Sequence, residues 1–161
     1  MSDADLFETV LEALPKDAHY RRAWLALLRC FSRIERVLMQ HIALQYNSSL
    51  PRYDVLTALA FNPQGLTMGD LAAMLMVSKG NITGVVQRLK TDGLVKKVTS
   101  KQDRRIQSVT ISREGKRLWE DMHADYDRII SGLLSGQSIG QVRALTKALQ
   151  KTLESVNAIT G

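Results

Sequence analysis

Apolar residues recur at three- and four-residue steps over most of the 161 positions, with one short interval near residue 100 where β-branched residues take over. From Asp17 to about Gln45, Trp24, Leu27, Leu28, Phe31, Ile34, Leu38 and Ile42 keep helical spacing. Arg21, Arg22, Arg29, Arg33 and Arg36 fall mostly between them, which predicts an amphipathic helix. Asn47-Ser48-Ser49 breaks that run. Pro51 suits the first turn of a second helix, which carries Val55, Leu56 and Leu59 and stops near Asn62-Pro63. Thr67 followed by Asp70 forms a capping-box pattern with Asp in place of Glu, opening a short helix to about Met76. Ser78 has the chemistry of the next N-cap, and Asp92-Gly93 closes that helix. Leu94–Thr99 and Ser108–Ile111 predict two strands around the polar loop Ser100–Gln107. Ser112 opens a further helix, a break follows at Ser135-Gly136, and a last helix aligns Val142, Leu145, Leu149, Leu153 and Val156.

Two short helices joined by a tight turn and followed by a hairpin make a winged helix-turn-helix. The segment VSKGNITGVVQRLKTDGLV contains an oddity within it, since Gly80 and Gly84 sit four residues apart in a helix. Each costs about 1 kcal/mol relative to alanine in a helix interior. On a helical wheel Ile82, Val85, Val86 and Leu89 gather on the side to be buried. Gly80, Thr83, Gly84, Gln87 and Thr91 lie opposite, flanked by Asn81 and Arg88. A bulk-free face of this kind can sink into a DNA groove. There Asn and Gln suit adenine, Arg suits guanine, and a threonine methyl meets thymine. The helix N-terminus at Ser78 and Lys79 offers free N–H groups to a phosphate.

Charge placement sharpens that expectation. Net charge is +6, yet the segment from Val77 to Arg117 holds eleven Lys and Arg against three acids, a local +8. Such a footprint points to a polyanion, commonly nucleic acid. The loop Ser100-Lys101-Gln102-Asp103-Arg104-Arg105 places Arg104 and Arg105 at a tip able to reach a narrow minor groove. Asp103 is better suited to pairing with an arginine and orienting the wing than to touching DNA. Leu6, Val10 and Leu14 near one end, and Val142, Leu145, Leu149 and Val156 near the other, form apolar stripes that a small winged domain would struggle to cover.

These residues resemble the MarR (multiple antibiotic resistance regulator) family of winged-helix transcription regulators. The likeness runs from about Ala18 onward and is strongest over Leu66–Leu118. It is carried by Leu71-Ala72, the serine-glycine turn into the Thr-bearing helix, Leu89 through Asp92-Gly93-Leu94-Val95, Asp103-Arg104-Arg105, and Thr110–Gly115. The resemblance implies a mainly α fold with a small β-hairpin wing, a winged helix-turn-helix core plus N- and C-terminal dimerisation helices. The divisions expected are 1–50 for N-terminal dimerisation and effector-pocket helices, 51–117 for the DNA-binding domain, and 118–161 for C-terminal dimerisation helices. It further implies a homodimer on a pseudo-palindromic double-stranded DNA operator. A repressor of this kind is released by a small aromatic or anionic effector, such as an aromatic acid or its coenzyme A thioester. His19, Tyr20, Arg22, Trp24 and Tyr53 are the residues expected near that pocket. A winged helix serving only as a protein-interaction module is the alternative.

Other chemistries find little support. His19, His41 and His123 are scattered, and Glu120, Asp121, Asp125 and Asp127 around His123 read as a solvated helix face rather than a metal site. No Gly-rich phosphate loop or nucleophile elbow is present, so neither an enzyme nor a cofactor is expected. The resemblance extends to peroxide-sensing members, but their reactive cysteine falls at Leu25 here. Cys30, between Leu28 and Phe31, reads as a small buried hydrophobe. An acidic N-terminus without a signal-peptide core, no membrane-length apolar run and one cysteine make a cytoplasmic protein the expectation.

Overall fold

The computed structural model describes residues 9–10, 13–15, 17–99 and 107–160. Its elements are α1 (His19–Tyr46), α2 (Leu50–Ala60), β1 (Leu66–Thr67), α3 (Met68–Met74), α4 (Lys79–Thr91), β2 (Val95–Thr99), β3 (Gln107–Ile111), α5 (Arg113–Leu134) and α6 (Ile139–Thr160). The chain divides into two compact units, Met1–Met122 and His123–Gly161.

Local chemistry accounts for the boundaries. Asn47 ends α1 in the left-handed conformation at φ 45°, and its N–H donates to the Ile42 carbonyl. Pro51 sits in the first turn of α2, where its missing N–H would have had no helical partner. Thr67 and Asp70 form the capping box: Thr67 Oγ1 accepts from the Asp70 N–H at 3.1 Å and Asp70 Oδ2 accepts from the Thr67 N–H at 3.2 Å. Helix α3 stops at Met74, two residues before the expected end, because Met76 turns into the left-handed region at φ 53°. Gly93, at φ 72°, closes α4, with the Leu94 N–H reaching back to the Leu89 carbonyl at 2.9 Å.

Strand order is β1-β3-β2, all antiparallel. The hairpin register pairs Val95 with Ile111 and Thr99 with Gln107. The two-residue strand β1 was not anticipated; Leu66 pairs with Val109 and Thr67 with Ser108. The core of the first unit gathers Ile42 of α1, Val55, Leu56 and Leu59 of α2, Leu71 of α3, Val86 and Leu89 of α4, Val109 of β3 and Met122 of α5. Truncating such a buried leucine to alanine costs about 2–5 kcal/mol. Trp119 ties α5 to α2, its indole N–H donating to Thr57 Oγ1 at 3.1 Å while its ring meets Phe61 edge-on.

Each unit also leaves an apolar stripe uncovered. On α1, Trp24 and Phe31 are each 60% exposed and Leu27 and Leu28 are also open. Cys30 lies beside them and is exposed, correcting the expectation of a buried thiol: its apolar neighbours are themselves uncovered in the single chain. On α6, Leu145, Leu149, Leu153 and Val156 form the second stripe. No helix among the described residues is long and apolar enough to cross a membrane.

Candidate nucleic-acid interface

Helix α4 is held by its apolar side and presents its polar side. Ile82, Val85, Val86 and Leu89 are buried, while Ser78, Lys79, Gly80, Asn81, Thr83, Gly84, Gln87 and Arg88 are all exposed. Ser78 caps the helix, its Oγ accepting from the Asn81 N–H at 3.3 Å. The Thr83 hydroxyl donates to the Lys79 carbonyl at 2.7 Å and the Thr91 hydroxyl to the Gln87 carbonyl at 3.1 Å, which fixes both rotamers. Arg88 folds back along the helix, Nε donating to the Gly84 carbonyl at 3.3 Å.

The two glycines face open space. A Cβ built at Gly80 meets nothing nearer than Ser78 Oγ at 4.0 Å, and one at Gly84 nothing nearer than Arg88 Nη2 at 3.9 Å. No aliphatic wall demands glycine at either position. Gly115 is the opposite case, where a Cβ would overlap the Leu94 carbonyl oxygen. That close approach seats α5 against the exit from α4. Buried Ser112 completes the junction by donating to the Gly93 carbonyl at 2.7 Å and accepting from the Gly115 N–H at 2.9 Å.

One brace was missed by sequence reasoning. Arg52 of α2 reaches Asp92 at the end of α4 with an N···O distance of 2.6 Å. Forty residues separate the two, so no local pattern could announce the pair. The wing residues Asp103, Arg104 and Arg105 lie outside the described residues.

A cavity of about 580 Å³ opens beside α4, between it, α1 and the start of α2. Met39, Leu50, Pro51, Leu75 and Val77 give it apolar walls. Glu35 and Asp54 supply carboxyls, and Gly80, Asn81, Gly84 and Arg88 form the α4 side. Burial, reinforced by the neighbouring Glu35 charge, pushes the Asp54 carboxyl from 3.8 up to about 6. Sequence reasoning found neither the cavity nor its acids, because they converge from separate helices.

The five residues expected around an effector are not gathered by the single chain. His19 and Tyr20 are exposed at the start of α1, and the Arg22 guanidinium donates to the Leu14 carbonyl at 2.7 Å. Trp24 belongs to the uncovered stripe, whereas Tyr53 is 4% exposed on the inward side of α2. None of them lines the large cavity. Among the described residues, no group of three or more His, Cys, Asp or Glu is placed to hold a metal ion.

Comparison with known proteins bears on this geometry. A family model described as the MarR family matches residues 47–106. The transcriptional activatory protein BadR of Rhodopseudomonas palustris is 35% identical over 96 residues, which cover 59% of this chain and 55% of BadR. The chain thus spans only about half the length of that relative. A MarR family transcriptional regulator from Silicibacter pomeroyi superimposes with a TM-score of 0.71 at 29% identity, covering 97% of this chain and 99% of that one. The DNA complex of S. aureus MepR gives a TM-score of 0.72 at 22% identity, over 81% and 96% of the two chains. CouR from Rhodococcus jostii RHA1, bound to p-coumaroyl-CoA, gives 0.75 at 22% identity, over 85% and 95%. With the family match lying on the helix-turn-helix and hairpin, and with relatives named as transcription regulators, residues 47–106 of the chain form a winged helix-turn-helix of the MarR family.

Proposed function

We propose that the protein is a homodimeric, sequence-specific DNA-binding repressor that leaves a pseudo-palindromic operator when a small effector binds. The observation that carries this reading is the exposed face of α4, where two glycines occupy positions with room for a side chain. A helix that forgoes about 1 kcal/mol at an unobstructed interior position is selected for what must approach it. In this reading Ser78 and Lys79 seat a phosphate, Asn81, Thr83, Gln87 and Arg88 read base edges, and Gly80 and Gly84 let the backbone descend. Arg104 and Arg105 enter the adjoining minor groove, oriented by Asp103.

Dimerisation is supported by the apolar stripes on α1 and α6, each too extensive to be left to water. Two copies would put two α4 helices about one helical turn of DNA apart. An effector of the aromatic-acid or coenzyme A thioester class is supported by the ligand named for CouR. His19, Tyr20, Arg22, Trp24 and Tyr53 would then need the partner chain to complete their site. BadR is named an activator, so a promoter fusion must decide the sign of regulation.

Selection of bound fragments from random duplexes, followed by titration with excess random competitor at two salt concentrations, tests the proposal. Binding that survives competitor is expected, with affinity falling as salt rises. Equal loss on all duplexes would favour the alternative, a winged helix that binds an acidic protein partner.

A further inference from the structure

Asp92 stands where a carboxylate is costly. It follows the last residue of α4, at the negative end of the helix dipole. Stopping the helix does not require it, since Gly93 makes the turn at φ 72°. Asp92 also lies four residues after Arg88, the spacing at which an acid and a base on one helix pair. Its carboxylate turns elsewhere. Asp92 Oδ2 is held by Arg52 Nη2 of α2 at 2.6 Å, while Arg88 lies back along its helix on the Gly84 carbonyl. The Arg52 side chain is only 19% exposed and stands on α2, away from the polar face of α4, so its charge acts on Asp92 rather than on a phosphate. Arg52 Nε is buried without a partner among the described residues, which leaves Asp92 as the anchor of this guanidinium.

We propose that Arg52 is a positioning residue for operator recognition, holding the Asp92 carboxylate away from Arg88 so that the Arg88 guanidinium stays free to meet a guanine edge. The inference rests on the reading of α4 as the helix that enters the operator. Removing Arg52 unpairs Asp92, and the cation one turn back on the same helix is Arg88. A guanidinium held by a carboxylate of its own helix must give up that pair before it can bond a base. A plain structural brace makes a different forecast. If Arg52 only anchored α4, losing either partner would do the same harm. If Arg52 keeps Asp92 occupied, removing Asp92 as well cancels the harm.

The test is fluorescence anisotropy of the full chain on a selected operator and on a random duplex, read as the ratio of the two affinities. A lowered folded fraction leaves that ratio unchanged, because both affinities fall together. Arg52→Ala is expected to reduce the ratio about fivefold or more, the worth of one base contact. Asp92→Asn should keep the wild-type ratio, and Arg52→Ala combined with Asp92→Asn should restore it although the brace is gone. In an Arg88→Gln chain, adding Arg52→Ala should lower the ratio no further. An undiminished ratio in Arg52→Ala, an Asp92→Asn ratio as low as that of Arg52→Ala, or no recovery in the double variant would overturn the assignment. A wild-type chain that prefers no selected duplex would sink the operator reading of α4 itself, and this inference with it.

Discussion

Replacing Gly84 separates what the fold needs from what DNA needs. Its virtual Cβ has only the mobile end of Arg88 in contact, at an ordinary 3.9 Å. Gly84→Ala should therefore recover most of the helix-propensity difference, about 1 kcal/mol. For a chain of this size that raises the thermal midpoint by about 2–4 °C per kcal/mol. Gly84→Leu should gain nearly as much, since leucine is also a good helix former and its side chain would project into open space. On DNA the order reverses. A leucine at the centre of the inserted face would lift the helix from the base edges, and losing even one base contact at about 1–3 kcal/mol costs about fivefold to about 150-fold in affinity. Scanning calorimetry without DNA, alongside fluorescence anisotropy on a selected operator, reads both effects. Gly115→Ala is the internal control, because overlap with the Leu94 carbonyl should cost about 3 kcal/mol or more. A lowered midpoint for Gly84→Ala, or operator affinity within twofold of wild type for Gly84→Leu, would refute the reasoning.

Three further outcomes follow from the geometry. The folded Asp54 carboxyl, at about 6, binds its proton more tightly than the unfolded one at 3.8, so its contribution to stability is present at low pH and is lost as pH rises through that window. The midpoint advantage of Asp54→Asn over wild type should thus grow from pH 4 to pH 7 in thermal scans; an advantage independent of pH would contradict the burial of this group. Arg52→Ala should cost about 1–2 kcal/mol by removing the Asp92 brace from a partly buried pair, and Asp92→Ala should add little on top of it in a double-mutant cycle; strict additivity would deny the coupling. Arg105→Ala should reduce operator affinity about tenfold or more while leaving the dimer intact by sedimentation; undiminished binding at physiological salt would remove the wing from the interface.

What could be read from the sequence was whatever is decided within a few residues. The Thr67–Asp70 box, the Ser78 cap and the Gly93 stop each follow from hydrogen bonds that reach no further than five positions along the chain. The exposed face of α4 was legible for the same reason, since a helical period converts spacing directly into direction. The features missed are those where distant segments meet. Strand β1 is two residues long and exists only because β3 offers it a ladder. Arg52 and Asp92 find each other across two helices, and Glu35 and Asp54 become neighbours only once α1 and α2 enclose a cavity. Met76 ended α3 early through a backbone conformation that its residue type does not advertise. Cys30 was misjudged because helical spacing marks an apolar stripe without saying whether the same chain covers it.

Hydroxyl-radical footprinting of the protein on a selected operator tests the central claim most directly. Two protected patches about one helical turn, or roughly 10 base pairs, apart are expected for one dimer, both fading with Gly84→Leu. A single patch, or protection that follows the backbone uniformly and is indifferent to residue 84, would contradict the paired insertion of α4.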